Sequence, residues 1–379
     1  MKKILDYDEM IETLKSFNKN IKMQNPIGYT KFGYPIEHYT YGIGDKHIII
    51  TGGTHPMELI SIHFVLKLME EIEKENISID SKKYTLHFIP IVNPEGTIIV
   101  TSAIRTLINE ENIELEEEIC KQYYLNARLD DMYAQKYDNK YQKLHHLMFQ
   151  NASYKCINDK HKELKKSIKN ITEKYKLPLG CLIDWASNGR GVDLNSNVET
   201  GKYFEETKRH KSVYMDLRFN TLDLTKPGPI GKPFNGDKFK YELENIALLN
   251  FYENLRKSNK VIASFIYHAC GGLVYYLEKQ EQENPWDKDY NSYEYNRNIA
   301  EIYSKSSNYK IIKSNGYTTL DTKLMTIIPG TLLIELSTIR ANPLSQFIDE
   351  LDGKEGYTKT INTNIKALLN TIKYLDEIN

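Results

Sequence analysis

The stretch that most constrains this chain is His47 to Ile60, HIIITGGTHPMELI. An apolar, β-branched run from His47 to Ile50 enters a Gly-Gly turn at Gly52 and Gly53, and an amphipathic segment follows. That order reads as a buried strand, a tight turn and a helix. His55 and Glu58 fall near the start of the helix. Residues three apart share one face of a helical turn, so both side chains can reach one ion. An imidazole nitrogen with a carboxylate oxygen suits zinc. The carboxyl end of a strand is also where open α/β sheets place their sites.

The segments around this stretch extend the pattern. A helix from Glu58 to about Lys74 carries Leu59, Ile62, Val65, Leu66 and Met69 as its buried stripe, and a second strand, YTLHFIPIV, runs to Asn93-Pro94-Glu95-Gly96. Strand, helix, strand is a βαβ unit with a right-handed crossover. Upstream, apolar Met10, Ile11, Leu14 and Phe17 predict a helix over Tyr7 to Lys22. The segment IGYTKFGYPIEHYTYG predicts a hairpin turning near Phe32 to Tyr34. Further helices are expected from about Lys240 to Arg256, Asp287 to Lys305 and Tyr357 to Leu375.

The expected fold class is α/β. At 379 residues the chain fits one large domain, 1–379, with an insertion. The insertion is read over 105–180, where the sequence turns lysine- and glutamate-rich and has no proline before Pro178. It is a helical decoration, and it could act as a wall beside the site or as a docking surface for a protein partner.

Charge and cysteine usage exclude several classes. With 27% charged residues and a formal net charge of -1, nothing recruits nucleic acid or an anionic membrane. No run reaches the roughly 20 apolar residues of a membrane span. The N-terminus, MKKILDYDEMIETLK, lacks the apolar core of a secretory signal. Cys120, Cys156, Cys181 and Cys270 are scattered without a C-x-x-C pair and read as free thiols. A cytoplasmic location is the expectation.

Three later stretches carry chemistry. LIDWASNGRGVDLNSN packs Arg190, Asp193 and Asn195 among apolar residues, where polar groups need partners. VIASFIYHACGG is a buried strand that delivers His268 at its end, repeating the logic of His55. In MTIIPGTLLIELSTIRANPLSQF, Glu335 sits inside an apolar strand, and a buried Glu has a partner or a task. His55, Glu58 and His268 together would give two nitrogens and one carboxylate, leaving one position for water, as in catalytic zinc sites. Such a water titrates near ~7. Glu335 beside it could take its proton, and Arg190 is the candidate to stabilise negative charge on the substrate carbonyl oxygen.

These residues carry a resemblance. Thr54-His55-Pro56-Met57-Glu58, Asn93-Pro94-Glu95-Gly96, Arg190 to Asn195, Tyr267-His268 and Pro329 to Glu335 resemble, in the same order, the motifs of the zinc carboxypeptidase (carboxypeptidase A-like) family. The resemblance implies an eight-stranded, mixed, mostly parallel twisted sheet between helices, one zinc ion and hydrolysis of an amide bond in a peptide. It implies His55, Glu58 and His268 as ligands, Arg190 as the carbonyl and oxyanion contact, Asn195 as a substrate contact and Glu335 as general base. Within the family, Asp184-Trp185, Tyr267-His268 and Asn342-Pro343 resemble the bacterial γ-D-glutamyl-diamino acid peptidases, which implies a cell-wall peptide substrate.

The chain departs from the family at two places. Digestive carboxypeptidases follow the Asn with an Arg that clamps the C-terminal carboxylate; here it is Ser196. A hydroxyl cannot make that bidentate charged contact, unless Lys323 or Arg340 substitutes. The family's substrate-capping Tyr has two candidates, Tyr309 and Tyr317. The sequence therefore points to a zinc peptidase of unusual specificity. The alternatives are a deacylase or amidase acting on a modified amino acid, or a non-catalytic zinc-binding protein that keeps the fold.

Overall fold

The computed structural model describes residues 4–106, 153–177, 180–199, 226–232, 240–277, 292–314, 319–338, 345–351 and 354–378. An eight-stranded mixed sheet runs through it. Its strands in chain order are β1 (Ile21–Met23), β2 (Tyr39–Tyr41), β3 (Lys46–Thr51), β4 (Tyr84–Ile89), β5 (Lys260–Ala269), β6 (Leu273–Leu277), β7 (Lys310–Ser314) and β8 (Thr331–Leu336). Their order across the sheet is β1-β2-β4-β3-β5-β8-β6-β7. β3 is parallel to β4 and β5, β5 to β8, and β6 to β7; the β1–β2, β2–β4 and β8–β6 pairings are antiparallel. This is the mixed, mostly parallel sheet expected from the sequence.

The described helices are α1 (Tyr7–Ser16), α2 (Leu59–Glu73), α3 (Pro94–Arg105), α4 (Lys162–Lys174), α5 (Leu243–Ser258), α6 (Ser292–Ser307), α7 (Leu320–Ile327) and α8 (Tyr357–Ile378). Strand alternation divides the core between the two faces of the sheet. Ile48, Ile50, Phe265, Tyr267, Leu332 and Ile334 pack under α1, α2, α3, α6 and α8. Ile49, Ile266 and Leu333 pack against Leu248 and Tyr252 of α5 and Leu320 and Leu324 of α7. His268 follows Tyr267 and Glu335 follows Ile334, so both turn toward the face that α5 and α7 cover.

Several boundaries differ from the sequence reading for physical reasons. The helix expected over Tyr7 to Lys22 starts at a capping box between Asp6 and Glu9 but stops at Ser16. The Glu73 carboxylate accepts the backbone N–H groups of Asn18, Lys19, Asn20 and Ile21 at 2.5–2.8 Å, which turns the chain into β1. β4 ends at Ile89, short of Val92. Asn93-Pro94-Glu95-Gly96, which reads as a strand end, opens α3: the Asn93 side chain accepts from Gly96 N–H and Pro94 stands at the first helical turn. β7 and α7 were not expected at all. Of the insertion, 107–152 lie outside the described residues. Its later part holds α4, whose Leu164 and Ile168 are buried in the main core. Cys156 and Cys181 are free thiols as expected, and Cys120 lies outside the described residues.

Candidate active site

The turn after β3 is built on glycine. A Cβ at Gly52 would lie 2.8 Å from the Ser61 carbonyl oxygen. Gly53 has φ 69°, and a Cβ there would meet Ile62 at 2.8 Å. The glycines therefore let the first turn of α2 approach the end of β3. That approach fixes Glu58 at the N-cap of α2, where its side chain makes no capping bond and is free to face the sheet.

Three side chains meet there. His55 Nδ1 lies 2.9 Å from Glu58 Oε1, and His268 Nδ1 lies 2.8 Å from Glu58 Oε2. Oε2 also accepts the Ala269 N–H at 3.1 Å. One donor atom from each of His55, Glu58 and His268 lies within 4.8 Å of the others, and the described residues hold no second such group of three. The two rings cross at 81° with centroids 4.9 Å apart. On their far sides, His55 Nε2 is 3.3 Å from Asp193 Oδ1 and His268 Nε2 is 3.1 Å from Asp321 Oδ2.

Electrostatics favours positive charge at this point. Burial alone would lower both imidazoles, but the carboxylates outweigh it: Glu58 and Asp193 raise His55 to about 10, and Asp321 and Glu58 raise His268 well above its ordinary value. Burial would raise Glu58, yet the two histidines hold it down at about 2. Asp193 is likewise held below the carboxylate range, against its own burial, by His55 and by the nearby charge of Lys232. Two nitrogens and one carboxylate oxygen in an acid-rich setting fit a divalent zinc with a coordination position open.

Glu335 stands next to the trio. It is the register partner of His268 across the parallel β5–β8 pair. Its residue surface is partly exposed, while burial of the carboxyl group and the charge of Glu58 raise it to about 8. A carboxyl poised near neutral pH suits proton transfer to and from water.

The other sequence candidates take different places. Arg190 Nη1 donates to Glu242 Oε1 and Oε2 at 3.1 and 3.2 Å. Asn195 ties two segments together: its N–H donates to Asp193 Oδ1 at 3.0 Å, and its carbonyl and side-chain oxygens accept from Leu320 N–H at 2.8 Å and Asp321 N–H at 3.2 Å. The Ser196 hydroxyl donates to Asp193 Oδ2 at 2.6 Å. Tyr309 is buried, its hydroxyl bonded to Ser337 N–H at 3.1 Å and Asn364 Nδ2 at 2.9 Å, so it cannot cap a substrate. Tyr317, Arg340, Asn342 and Pro343 lie outside the described residues. Asp321 and Glu242 were not singled out from sequence, since their partners are remote in the chain and no local spacing announces them.

Comparison with known proteins decides the family. The family model described as zinc carboxypeptidase matches residues 24–331. The chain belongs to the zinc carboxypeptidase family. The match takes in His55, Glu58, Arg190 and His268 and ends four residues before Glu335. The family uses one zinc ion, and this chain is a zinc metallopeptidase with His55, Glu58 and His268 as its candidate metal site. Its fold is similar to that of bovine thrombin-activatable fibrinolysis inhibitor in complex with a tick carboxypeptidase inhibitor, at 12% identity and a TM-score of 0.51 over 100% of this chain and 99% of that one. It is also similar to carboxypeptidase A from Helicoverpa armigera, at 13% identity and a TM-score of 0.52 over 98% and 72%. No curated protein matches the chain in sequence.

Proposed function

We propose that this zinc carboxypeptidase-family enzyme hydrolyses an amide bond in peptides of the bacterial cell wall, of the γ-D-glutamyl-diamino acid type, and does not trim ordinary C-termini. The observation that carries this reading is the Ser196 hydroxyl turned onto Asp193, at the position where digestive relatives carry a carboxylate-clamping Arg. The same observation favours, as second reading, a deacylase or amidase acting on another modified amino acid. A non-catalytic zinc-binding role is disfavoured by Glu335, a carboxyl with the chemistry of a general base next to the candidate ligands.

His55, Glu58 and His268 would hold the zinc. When bound, it supplies a Lewis acid and an acidified water at neutral pH. Glu335 takes the water proton and passes it to the leaving amine nitrogen. Glu242 orients Arg190, whose guanidinium contacts the substrate carbonyl oxygen as negative charge builds on it. Asn195 contacts substrate from the edge of α7, and Tyr317 is the remaining candidate for the capping Tyr. Lys232 follows Gly231, whose carbonyl accepts from Asp193 N–H at 2.8 Å; it offers a cation near the site where Ser196 does not. No described helix is long and apolar enough to cross a membrane, and a cytoplasmic pool of recycled wall peptides is the proposed substrate source. The insertion read over 105–180 is proposed as the segment that a protein partner would recognise.

Product analysis by mass spectrometry tests this reading. Zinc-loaded protein is incubated with ordinary C-terminal peptides, γ-D-glutamyl-diaminopimelate peptides and N-acyl amino acids. Cleavage of the γ-glutamyl peptides alone supports the proposal. Release of ordinary C-terminal residues overturns the substrate assignment, and cleavage of N-acyl amino acids alone selects the second reading.

A further inference from the structure

The two histidines of the metal site are not braced alike. Asp193, which faces His55 Nε2, is also bonded by Asn195 N–H, Ser196 N–H and Ser196 Oγ. Asp321 is different. It is 0% exposed, and in the described structure neither of its oxygens has a hydrogen-bond partner; the same holds for His268 Nε2. Yet Asp321 Oδ2 and His268 Nε2 stand 3.1 Å apart as an ion pair. A fully buried carboxylate is costly unless a charge or a donor offsets it, and His268 Nε2 is the group within reach.

Asp321 is also held from behind. It is the second residue of α7, whose N-cap Thr319 forms a reciprocal capping box with Thr322. The Leu320 and Asp321 N–H groups both donate to Asn195. Asn195 in turn donates to Asp193. One asparagine therefore joins the start of α7 to the loop that holds the other histidine. The two carboxylates lie on the outer sides of the two rings, with Glu58 between the inner nitrogens.

We propose that Asp321 is the positioning residue for His268. Its carboxylate accepts a hydrogen bond from the Nε2–H, which fixes the tautomer that leaves the Nδ1 lone pair for the metal, and raises the basicity of that nitrogen. The proton displaced from Nδ1 on metal binding goes to solvent. Asn195 keeps the Asp321 carboxylate in place by anchoring the first turn of α7. The inference rests on zinc being held at His268 Nδ1.

Zinc affinity of the full chain tests it, measured by competition with a chromophoric chelator on the metal-stripped protein, for wild type, Asp321→Asn and Asp321→Ala. The expected result is a loss of ~10- to 100-fold in affinity, larger for Ala than for Asn, whose side-chain oxygen still accepts a hydrogen bond from Nε2–H. In the folded Asn variant kcat falls while KM stays near wild type. Folding is followed by circular dichroism, and the Asn variant, which keeps shape, decides alone if the Ala variant does not fold. Affinities within about twofold of wild type, or a lowered melting temperature with zinc affinity untouched, would overturn the proposal. Wild-type protein that binds no zinc would overturn the metal assignment instead, which keeps the two failures apart.

Discussion

Glu335 and His268 are direct register partners in adjacent parallel strands, β8 and β5, and their side chains emerge on the same face of the sheet. A backbone hydrogen-bond ladder thus sets the spacing between the proposed base and a proposed metal ligand. Neither residue sits on a loop that could drift. Burial and the charge of Glu58 raise the Glu335 carboxyl to about 8, against the opposing pull of His268 and His55.

Ser196 is expected to act through Asp193 and not through substrate. Ser196→Ala removes a 2.6 Å hydrogen bond to a carboxylate, which is worth ~1–3 kcal/mol of stability. Denaturant unfolding should show that loss, with KM unchanged. A raised KM at unchanged stability would make Ser196 a substrate contact. Ser196→Arg should weaken zinc binding, because its cation competes with His55 for Asp193.

The two tyrosines separate by the same logic. Tyr309→Phe breaks bonds to Ser337 and Asn364 in the core. It should lower stability by ~1–3 kcal/mol and leave KM alone. Tyr317→Phe should raise KM with little change in melting temperature. Thermal denaturation beside steady-state kinetics checks both.

Acid sensitivity follows from three histidines outside the metal site. Burial lowers His38 to about 4, His63 to about 3 and His87 to about 3, the last with added repulsion from His38 and His47. These imidazoles bind protons more readily in the unfolded chain, so stability is full above the unfolded value near 6.5 and falls as pH drops toward the folded values. At about pH 5 each costs at most ~2 kcal/mol. His87→Gln should flatten the stability curve between about pH 7 and 5. An unchanged slope would remove His87 from the account.

The opposite sign applies to Glu244. Burial, with Glu95 adding repulsion, raises it to about 8, and its Oε2 has no hydrogen-bond partner in the described structure. The folded state holds this proton more tightly than the unfolded one, so its contribution to stability is present below an unfolded value of about 4.3 and is lost as pH rises toward 8. Glu244→Gln removes that loss. The variant should match or exceed wild-type stability at about pH 8, read from urea midpoints.

The legible parts of this protein are those written locally. A β-branched run with His55 in the turn behind it, a second that carries His268, and a Glu inside an apolar strand announce themselves by spacing; His55 stands in the turn after β3, and His268 and Glu335 stand near the carboxyl ends of β5 and β8. Ser196 shows in the sequence that an Arg is missing, but its bond to Asp193 exists only in the folded turn. Asp321 stands in a stretch where no helix was expected, and its partner His268 lies on a different strand. Asn93 to Gly96 misleads for a related reason: Pro and Gly read as a turn, whereas the Asn93 cap and the burial of Glu95, which accepts from the Phe32 and Gly189 N–H groups, make it a helix start.

Glu335 is proposed to be the base of this zinc peptidase and not a ligand. The direct measurement is zinc content and peptide turnover of Glu335→Gln beside wild type in one preparation. One zinc per chain is expected in both proteins, with turnover in the variant lower by ~100- to 10,000-fold. Turnover near the wild-type rate, or loss of the zinc together with the activity, would contradict that role for Glu335.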